Sequence, residues 1–391
     1  MGLAAYAVNG RTPSRRVAPL SAAEVASVVR EANERHEAIV CFGGRTRLEV
    51  GNAPSRYDVA LDLSSLAGIV EHEAGDLTAT VRAGTTLADL ARALQGVGQL
   101  WPVEVARPQL ATVGGVLAGA APGPSRLRHG HPRDWTLGAS VVLGDGTPAK
   151  AGGKVVKNVT GYDLTRLYAG SYGTLCVLVE ANLKLWPLPD AERILLGRFD
   201  DIATAWDALD SARRDGVGFD AMVTLDRAAA SYVGEESALA LVRVRGARPV
   251  VSRLVDAASR ALGPGHTSDA RPGLFAEVID VPQRAGVALR LAVPESRMRE
   301  ALAGASGILR YDGAGTASLV REDAAAHWVD EWRARAESRE GSAILERAPS
   351  LLRREVDAWG HPVLPLALSS RIKAALDPHN TLAPGRMPGG F

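Results

Sequence analysis

ASVVLGDGTPAKAGGKVVKNVTGYDLTRLYAGSYGTLCVLVEANLKLWPLP, residues 139–189, decides how the chain is read. It opens as a hairpin. The apolar run Val141-Val142-Leu143 meets Asp145-Gly146, a pair favoured in tight loops whose central positions take φ > 0. A short helix follows, with Leu164, Leu167 and Tyr168 at i, i+3, i+4 and Gly170 placed to end it. The spacing then predicts a strand over 174–186, whose second half alternates apolar and polar residues until Pro187 and Pro189 stop it.

Working outward, Ser21 and Glu24 spell a capping box before a helix with Val25, Val28, Val29 and Ala32 on one face. Ile39-Val40-Cys41-Phe42 reads as a buried strand running into Gly43-Gly44-Arg45-Thr46-Arg47-Leu48. A strand over 57–63, a hairpin turning near Gly75-Asp76, and a capped helix over 86–94 complete the pattern. Strands alternating with helices argue for an α/β or α+β domain.

Three stretches could carry chemistry. The Gly43–Leu48 loop can present successive N–H groups to an anion, because glycine sets no Cβ in the way; a plain glycine turn is the alternative. The run from Pro108 through Thr112, Gly114, Gly115, Ala118 and Gly119 is small enough to lie against a planar ligand, or to pack as a tight helix. The stretch 126–135 gathers three arginines and two histidines. Arg126 and Arg128 read as solvated, Arg133-Asp134 as a fixed pair, and His129 and His131 lack nearby companions for a metal site. Gly-x-Gly pairs never complete G-x-G-x-x-G, and neither a P-loop nor a G-x-S-x-G elbow occurs.

The segment VVKNVTGYDLTRLYAGSYGTLCVLVEANLKLWPLP resembles FAD-binding oxidoreductases of the vanillyl-alcohol-oxidase, or PCMH, type, and among them the E subunit of bacterial glycolate oxidase. The likeness runs over about 20–189 and resumes near 376. It implies an α+β fold: a PCMH-type FAD-binding domain of two subdomains, then a smaller antiparallel-sheet cap, with the tail returning to the FAD domain. It implies a pyrophosphate site at Gly43, Gly44, Arg45, Thr46, Arg47 and Leu48, after Cys41 and Phe42. The flavin would be lined by Pro108, Thr112, Gly114, Gly115, Ala118 and Gly119, with Gly130, Arg133 and Asp134, and with Gly173, Thr174, Val177 and Leu178. Arg386 belongs to a terminal D-P-x-x-x-x-N-P-G-R pattern, in which Ala383 replaces the usual asparagine. Arg45 stands where covalent relatives carry histidine, so non-covalent FAD is expected. Arg45 and Arg47 either contact the pyrophosphate or project into solvent, and Arg386 either contacts the flavin or is surface charge.

The chain has 391 residues, enough for several cores, and a formal net charge of +1, which offers no global field for nucleic acid. Cys41 and Cys176 are the only cysteines, both expected as buried thiols, so this chain's own cysteines hold no iron–sulfur or zinc site and no metal is expected. No long uncharged apolar run occurs, so no direct membrane insertion is expected, and a cytoplasmic protein, membrane-associated only through partners, is the expectation. The domains are read as 1–189, FAD-binding; 190–350, cap; and 351–391, returning to the FAD domain. The cap reads as strand–helix–strand–strand–helix, an antiparallel sheet with helices on one face. Its histidines, His266 and His327, form no H-x-H pair, and Tyr232, Arg243, Arg290 and Arg310 are its candidate anion binders, so no catalytic residue is named. The resemblance implies an FAD-binding subunit of a 2-hydroxy-acid dehydrogenase, partnered by a second flavin subunit and an iron–sulfur subunit. A stand-alone flavoenzyme and a flavin-free assembly subunit remain open alternatives.

Overall fold

The computed structural model describes residues 2–120, 123–155, 161–214, 218–263, 267–361 and 365–391. The VKNVT part of the resembling segment, the 264–265 helix stop and His266 lie outside them. The chain forms two compact units. The first comprises 1–121, 131–188 and 361–391; the second comprises 122–130 and 189–360.

In the first unit, Ile39–Phe42 pairs in parallel with Val59–Asp62, which also pairs in parallel with Arg15–Val17. The helix Ala22–Glu34 covers this small sheet with Val25, Val28, Val29 and Ala32. Ser21 caps it as its sequence requires, its hydroxyl accepting from Glu24 N, while the Glu24 carboxylate accepts from Leu20 N. A second, five-stranded antiparallel sheet runs Ile69–Glu73, Thr78–Arg82, Cys176–Lys184, Thr136–Leu143, Pro148–Gly152.

The Asp145-Gly146 hairpin forms, but only Gly146 takes a positive φ, +84°. Gly146 N donates to Leu143 O and Thr147 N to the Asp145 carboxylate, so the loop is a type I turn followed by a left-handed glycine. That glycine is also required by space, since a Cβ would stand 2.4 Å from Arg30 Cγ.

The tail joins the first sheet. Ala383 N donates to Ile39 O and Ile39 N to Thr381 O, a parallel bridge between Leu382 and Ile39.

The second unit is built on an eight-stranded antiparallel sheet. Across it run Thr267–Asp269, Ala191–Phe199, Ala238–Gly246, Ala221–Leu225, Ile308–Tyr311, Thr316–Arg321, Val287–Ala292 and Ser342–Arg347. The helices Ile202–Arg214 and Arg248–Leu262 pack on one face, against Met222, Val242 and Val244. Helices are not confined to that face. Leu274–Arg284 brings Phe275 within 4.4 Å of the Arg243 guanidinium, and Arg243 points opposite to Val242 and Val244.

Candidate functional site

Backbone, rather than side chains, shapes the site in the first unit. At the end of Ile39–Phe42 the chain turns through Gly43 and Gly44 and packs against the segment that starts the helix Val113–Gly119. A Cβ on Gly43 would stand 2.2 Å from Thr112 Oγ1, and one on Gly44 would stand 1.5 Å from the Leu110 carbonyl oxygen. Neither glycine has a positive φ. Close approach of Leu110 and Thr112 explains them, in place of the left-handed backbone that glycine loops often need. Thr112 caps the small helix, its hydroxyl accepting from Gly115 N at 3.3 Å.

Between these segments lies a groove with two adjoining lobes, of about 560 and 450 Å³ including the mouths open to solvent. The lobes share Cys41, Gly43, Thr112, Gly115, Ala118 and Tyr172. One lobe continues past Gly44, Arg45, Thr46, Arg47, Leu48, Gly119 and Arg386. The other continues past Phe42, Gly114, Gly173 and Leu178. The structure therefore brings together the 41–48 loop, most of the 112–119 run, Gly173, Leu178 and Arg386. The small-residue run is a helix and also a groove wall: Gly115 and Ala118 face the groove, while Gly114 also packs against Ala83, where a Cβ would stand 2.7 Å from the Ala83 methyl.

Other expected site residues do not line these two lobes. Pro108 uses its carbonyl to accept from Ala88 N. Thr174 is buried, its hydroxyl donating to Ser171 O at 2.7 Å, and Val177 is in the core. Gly130 lies in the second unit, exposed, with φ +76°. Arg133 is exposed, and Asp134 caps a turn by accepting from His131 N at 2.9 Å. The adjacent pair was expected to have fixed partners; Asp134 does, through His131 and, at 3.5 Å, Arg166. His131 contacts the Ala120 carbonyl at 2.9 Å, and His129 contacts Asp220 at 3.2 Å.

Both chain ends hold the 43–51 loop. The Tyr6 ring stacks edge-on against Phe42, and its hydroxyl donates to Asp62 at 2.7 Å. Burial pushes the Asp62 carboxyl up, but hydrogen bonds from Ser64, Tyr6 and Arg16 outweigh it and bring the group down to about 2. Arg45 adopts a left-handed φ of 59° and sets its guanidinium 5.1 Å from the Tyr6 ring, donating to Ala5 O. Arg47 lies along Gly119, where a Cβ would be 3.6 Å from its Nε. Arg386 is not surface charge. It is 3% exposed and donates to Leu48 O at 2.8 Å and Val50 O at 2.5 Å. Ala383, in the asparagine position of the tail, takes φ 43°, a conformation asparagine adopts at lower cost.

Tyr172 is a groove residue that sequence reasoning missed. It holds φ 52°, fixed by its N–H donating to Ala118 O at 2.9 Å, and it lines both lobes. The turn-rich Ser-Tyr-Gly was the only signal for it. Val40, Leu63, Ala83 and Cys176 also line the groove. Cys176 is buried as expected, whereas Cys41 is part-exposed, because it faces the groove. Burial still pushes the Cys41 thiol up to about 12, and the Cys176 thiol is raised as well.

Close-packed glycines and small residues on one strand-end loop and one helix give the groove a wall that a planar ligand can approach at backbone distance. Residues 13–152 match the family model described as FAD binding domain. They form an FAD-binding domain. Over 132 residues the chain is 42% identical to "Glycolate oxidase subunit GlcE" of Escherichia coli, covering 34% of this chain and 38% of that protein. Over 193 residues it is 34% identical to "Glycolate oxidase subunit GlcD" of Bacillus subtilis, covering 49% of this chain and 41% of that one. The chain thus spans less than half the length of these curated relatives. Among solved structures, p-cresol methylhydroxylase with substrate bound aligns with a TM-score of 0.69 at 16% identity, over 95% of this chain and 88% of that one. The fold is that of the PCMH-type flavoproteins. Among the described residues, no helix is long and apolar enough to cross a membrane.

Proposed function

We propose that this chain is the FAD-binding subunit of a multi-subunit dehydrogenase for small 2-hydroxy acids of the glycolate type, working with a second flavin subunit and an iron–sulfur subunit. Bound FAD would supply the two-electron chemistry. The chain's own residues do the holding. Gly43, Gly44 and Thr112 bring the loop and helix close enough to cradle the cofactor, Arg47 and Arg386 place positive charge in the pyrophosphate lobe, and Tyr172 with Ala118 walls the shared part.

The observation that carries the subunit role lies in the second unit. Oxidation of a 2-hydroxy acid needs a cation for the carboxylate and a base for the hydroxyl proton. All four candidate anion binders are engaged with carboxylates of their own unit. Arg243 pairs with Asp220 at 2.8 Å, Arg290 with Glu346 at 2.6 Å, Arg310 with Glu295 at 2.5 Å and Asp312 at 3.2 Å, and the Tyr232 hydroxyl donates to Glu322 at 2.6 Å. This favours a substrate clamp supplied by a partner, and the likeness to glycolate oxidase subunits points the same way.

The test is anaerobic. The purified chain is expected to be yellow, to release its colour into the supernatant on trichloroacetic acid precipitation, and to keep its flavin oxidised when mixed with glycolate or D-lactate. Flavin bleaching should appear when the two partner subunits are added. Rapid bleaching of the isolated chain would establish a stand-alone enzyme instead, and a colourless chain that binds no added FAD would establish a flavin-free subunit.

A further inference from the structure

The helix Leu366–Leu376 has one fully buried side chain, and it is a lysine. Lys373 is 4% exposed, and Asp377, one turn on, is 1% exposed. Lysine is rarely buried unless its charge and all its donors are met. Here they are met by three acceptors. Nζ donates to the Asp377 carboxylate at 2.5 Å, to Thr174 O at 2.8 Å and to Leu382 O at 2.8 Å. An ammonium has three protons, so the set is complete. Asp377 in turn accepts from Thr381 N at 2.9 Å and Leu382 N at 2.8 Å, fixing the turn that leads to Leu382. Gly144 makes the room, because a Cβ there would stand 2.3 Å from the Asp377 carboxylate.

The two carbonyls belong to two chain segments that both line the FAD groove. Thr174 immediately follows Gly173 and precedes Cys176, both of which line one lobe. Leu382 is bridged to Ile39, on the strand that delivers Cys41 and the Gly43–Leu48 loop to the groove. One nitrogen atom bonds to both segments.

The geometry points to Lys373 as a positioning residue for FAD: its ammonium ties the backbone of the 39–48 segment to that of the 173–178 segment, both of which line the groove, with Asp377 balancing its charge. This rests on the assignment of the groove to FAD. Neither side chain lines the groove, so the effect on the cofactor passes through the backbone of Thr174 and Leu382. A polar link of this kind is chosen over an apolar contact because two carbonyl oxygens, buried side by side, would otherwise be left without donors.

The full chain is made as wild type, Lys373→Met and Lys373→Arg, stripped of flavin and titrated with FAD, following quenching of flavin fluorescence and the shape of the visible absorption bands. Wild type binding FAD is the condition that tests the FAD assignment itself; if it binds none, that assignment fails first. Lys373→Met removes the donors while keeping the volume. Its dissociation constant is expected to rise about tenfold or more, with altered vibronic structure in the bound spectrum, because a small displacement of a binding wall is felt strongly. Lys373→Arg keeps the charge beside Asp377 and is expected to recover part of the affinity. Leu94→Ala, a core truncation in the same unit, is the control: it should lower thermal stability yet leave the spectrum and affinity of the folded protein unchanged. Wild-type affinity and spectrum in Lys373→Met would overturn the proposal. So would failure of both lysine variants to fold, since the residue would then serve the whole unit and not the groove.

Discussion

The groove of the first unit and the candidate anion binders of the second use polar atoms in opposite ways. In the FAD-binding unit, glycines bring backbone to within contact of backbone and leave a groove whose loop, helix and turn face open space. In the second unit, buried charge turns inward. Asp220 illustrates it, with Arg243 donating through Nε at 2.8 Å, His129 at 3.2 Å, and Ser125 accepting from the same arginine at 2.5 Å. Burial raises the Asp220 carboxyl, but hydrogen bonding to His129 and the charges of Arg243 and Arg245 outweigh it and hold the group well below the usual carboxylate range. The difference teaches that arginine content says little about ligand binding. What matters is whether the charge has been spent within the fold, and in this cap the candidate cations have been.

The comparison breaks most directly at Gly44. Valine there would place a side chain inside contact distance of the Leu110 carbonyl, and a backbone oxygen held by its own segment cannot easily retreat. Gly44→Val should therefore displace the loop and weaken FAD binding by at least about 100-fold, close to 3 kcal/mol. Fluorescence titration of folded protein measures it. A variant that keeps full flavin occupancy would show that the loop is not the cofactor's cradle.

A cut in the second unit is read on stability and leaves binding nearly untouched. Asp220→Ala leaves the Arg243 guanidinium buried over Phe275 without its carboxylate. Removing one partner of a buried ion pair costs about 3–5 kcal/mol. Calorimetry should show a large loss of stability, while FAD affinity of the folded protein stays within about twofold of wild type, a few tenths of a kcal/mol. Loss of FAD in step with the mutation would mean that the two ways of using polar atoms are not separable.

Much of this was legible in residues 139–189 and in the caps. Ser21 and Thr86 announce their helices because a capping hydroxyl and its N–H lie three residues apart. The Gly43–Leu48 loop was legible for a coarser reason than the one that holds: glycine was required, but by Leu110 and Thr112, some 65 residues on. Partners so distant leave no local trace. The same is true of Asp220 with Arg243, of Thr224 with Asp312, and of Lys373 with Thr174. For Arg133 and Asp134 the local charge pair told of fixed partners, which Asp134 finds in His131 N and Arg166. The strands Ile308–Tyr311, Thr316–Arg321 and Ser342–Arg347 are hard to read from sequence because each is short and follows directly on a glycine, and only pairing across the sheet defines them.

The smallest effect separates two buried aspartates of the second unit. Asp220 faces two guanidinium groups, Arg243 at 2.8 Å and Arg245 at 3.9 Å, and the His129 ring. Asp312 has one, Arg310, which it shares with Glu295, along with a hydrogen bond from the Thr224 hydroxyl at 2.9 Å. Burial therefore dominates, and it pushes the Asp312 carboxyl from its ordinary 3.8 up to about 6, with Arg310 and Thr224 pulling down and Glu295 and Asp210 pushing up. The sign follows from proton uptake. A carboxyl whose pKa is higher in the folded state than in the unfolded chain binds its proton more tightly when folded, so its contribution is fully present below the unfolded value and is lost as pH rises through about 6. Between pH 7 and pH 5 the second unit should gain about 1 kcal/mol from this residue, or roughly 2–4 °C in its melting temperature. Asp220 and Asp62, both lowered, act oppositely and only at more acidic pH, so the measurement is a difference. Wild type minus Asp312→Asn should rise as pH falls from 7 to 5, because asparagine has no proton to gain. Parallel melting curves for the two proteins across that range would show that Arg310 neutralises Asp312 as fully as Arg243 and Arg245 neutralise Asp220.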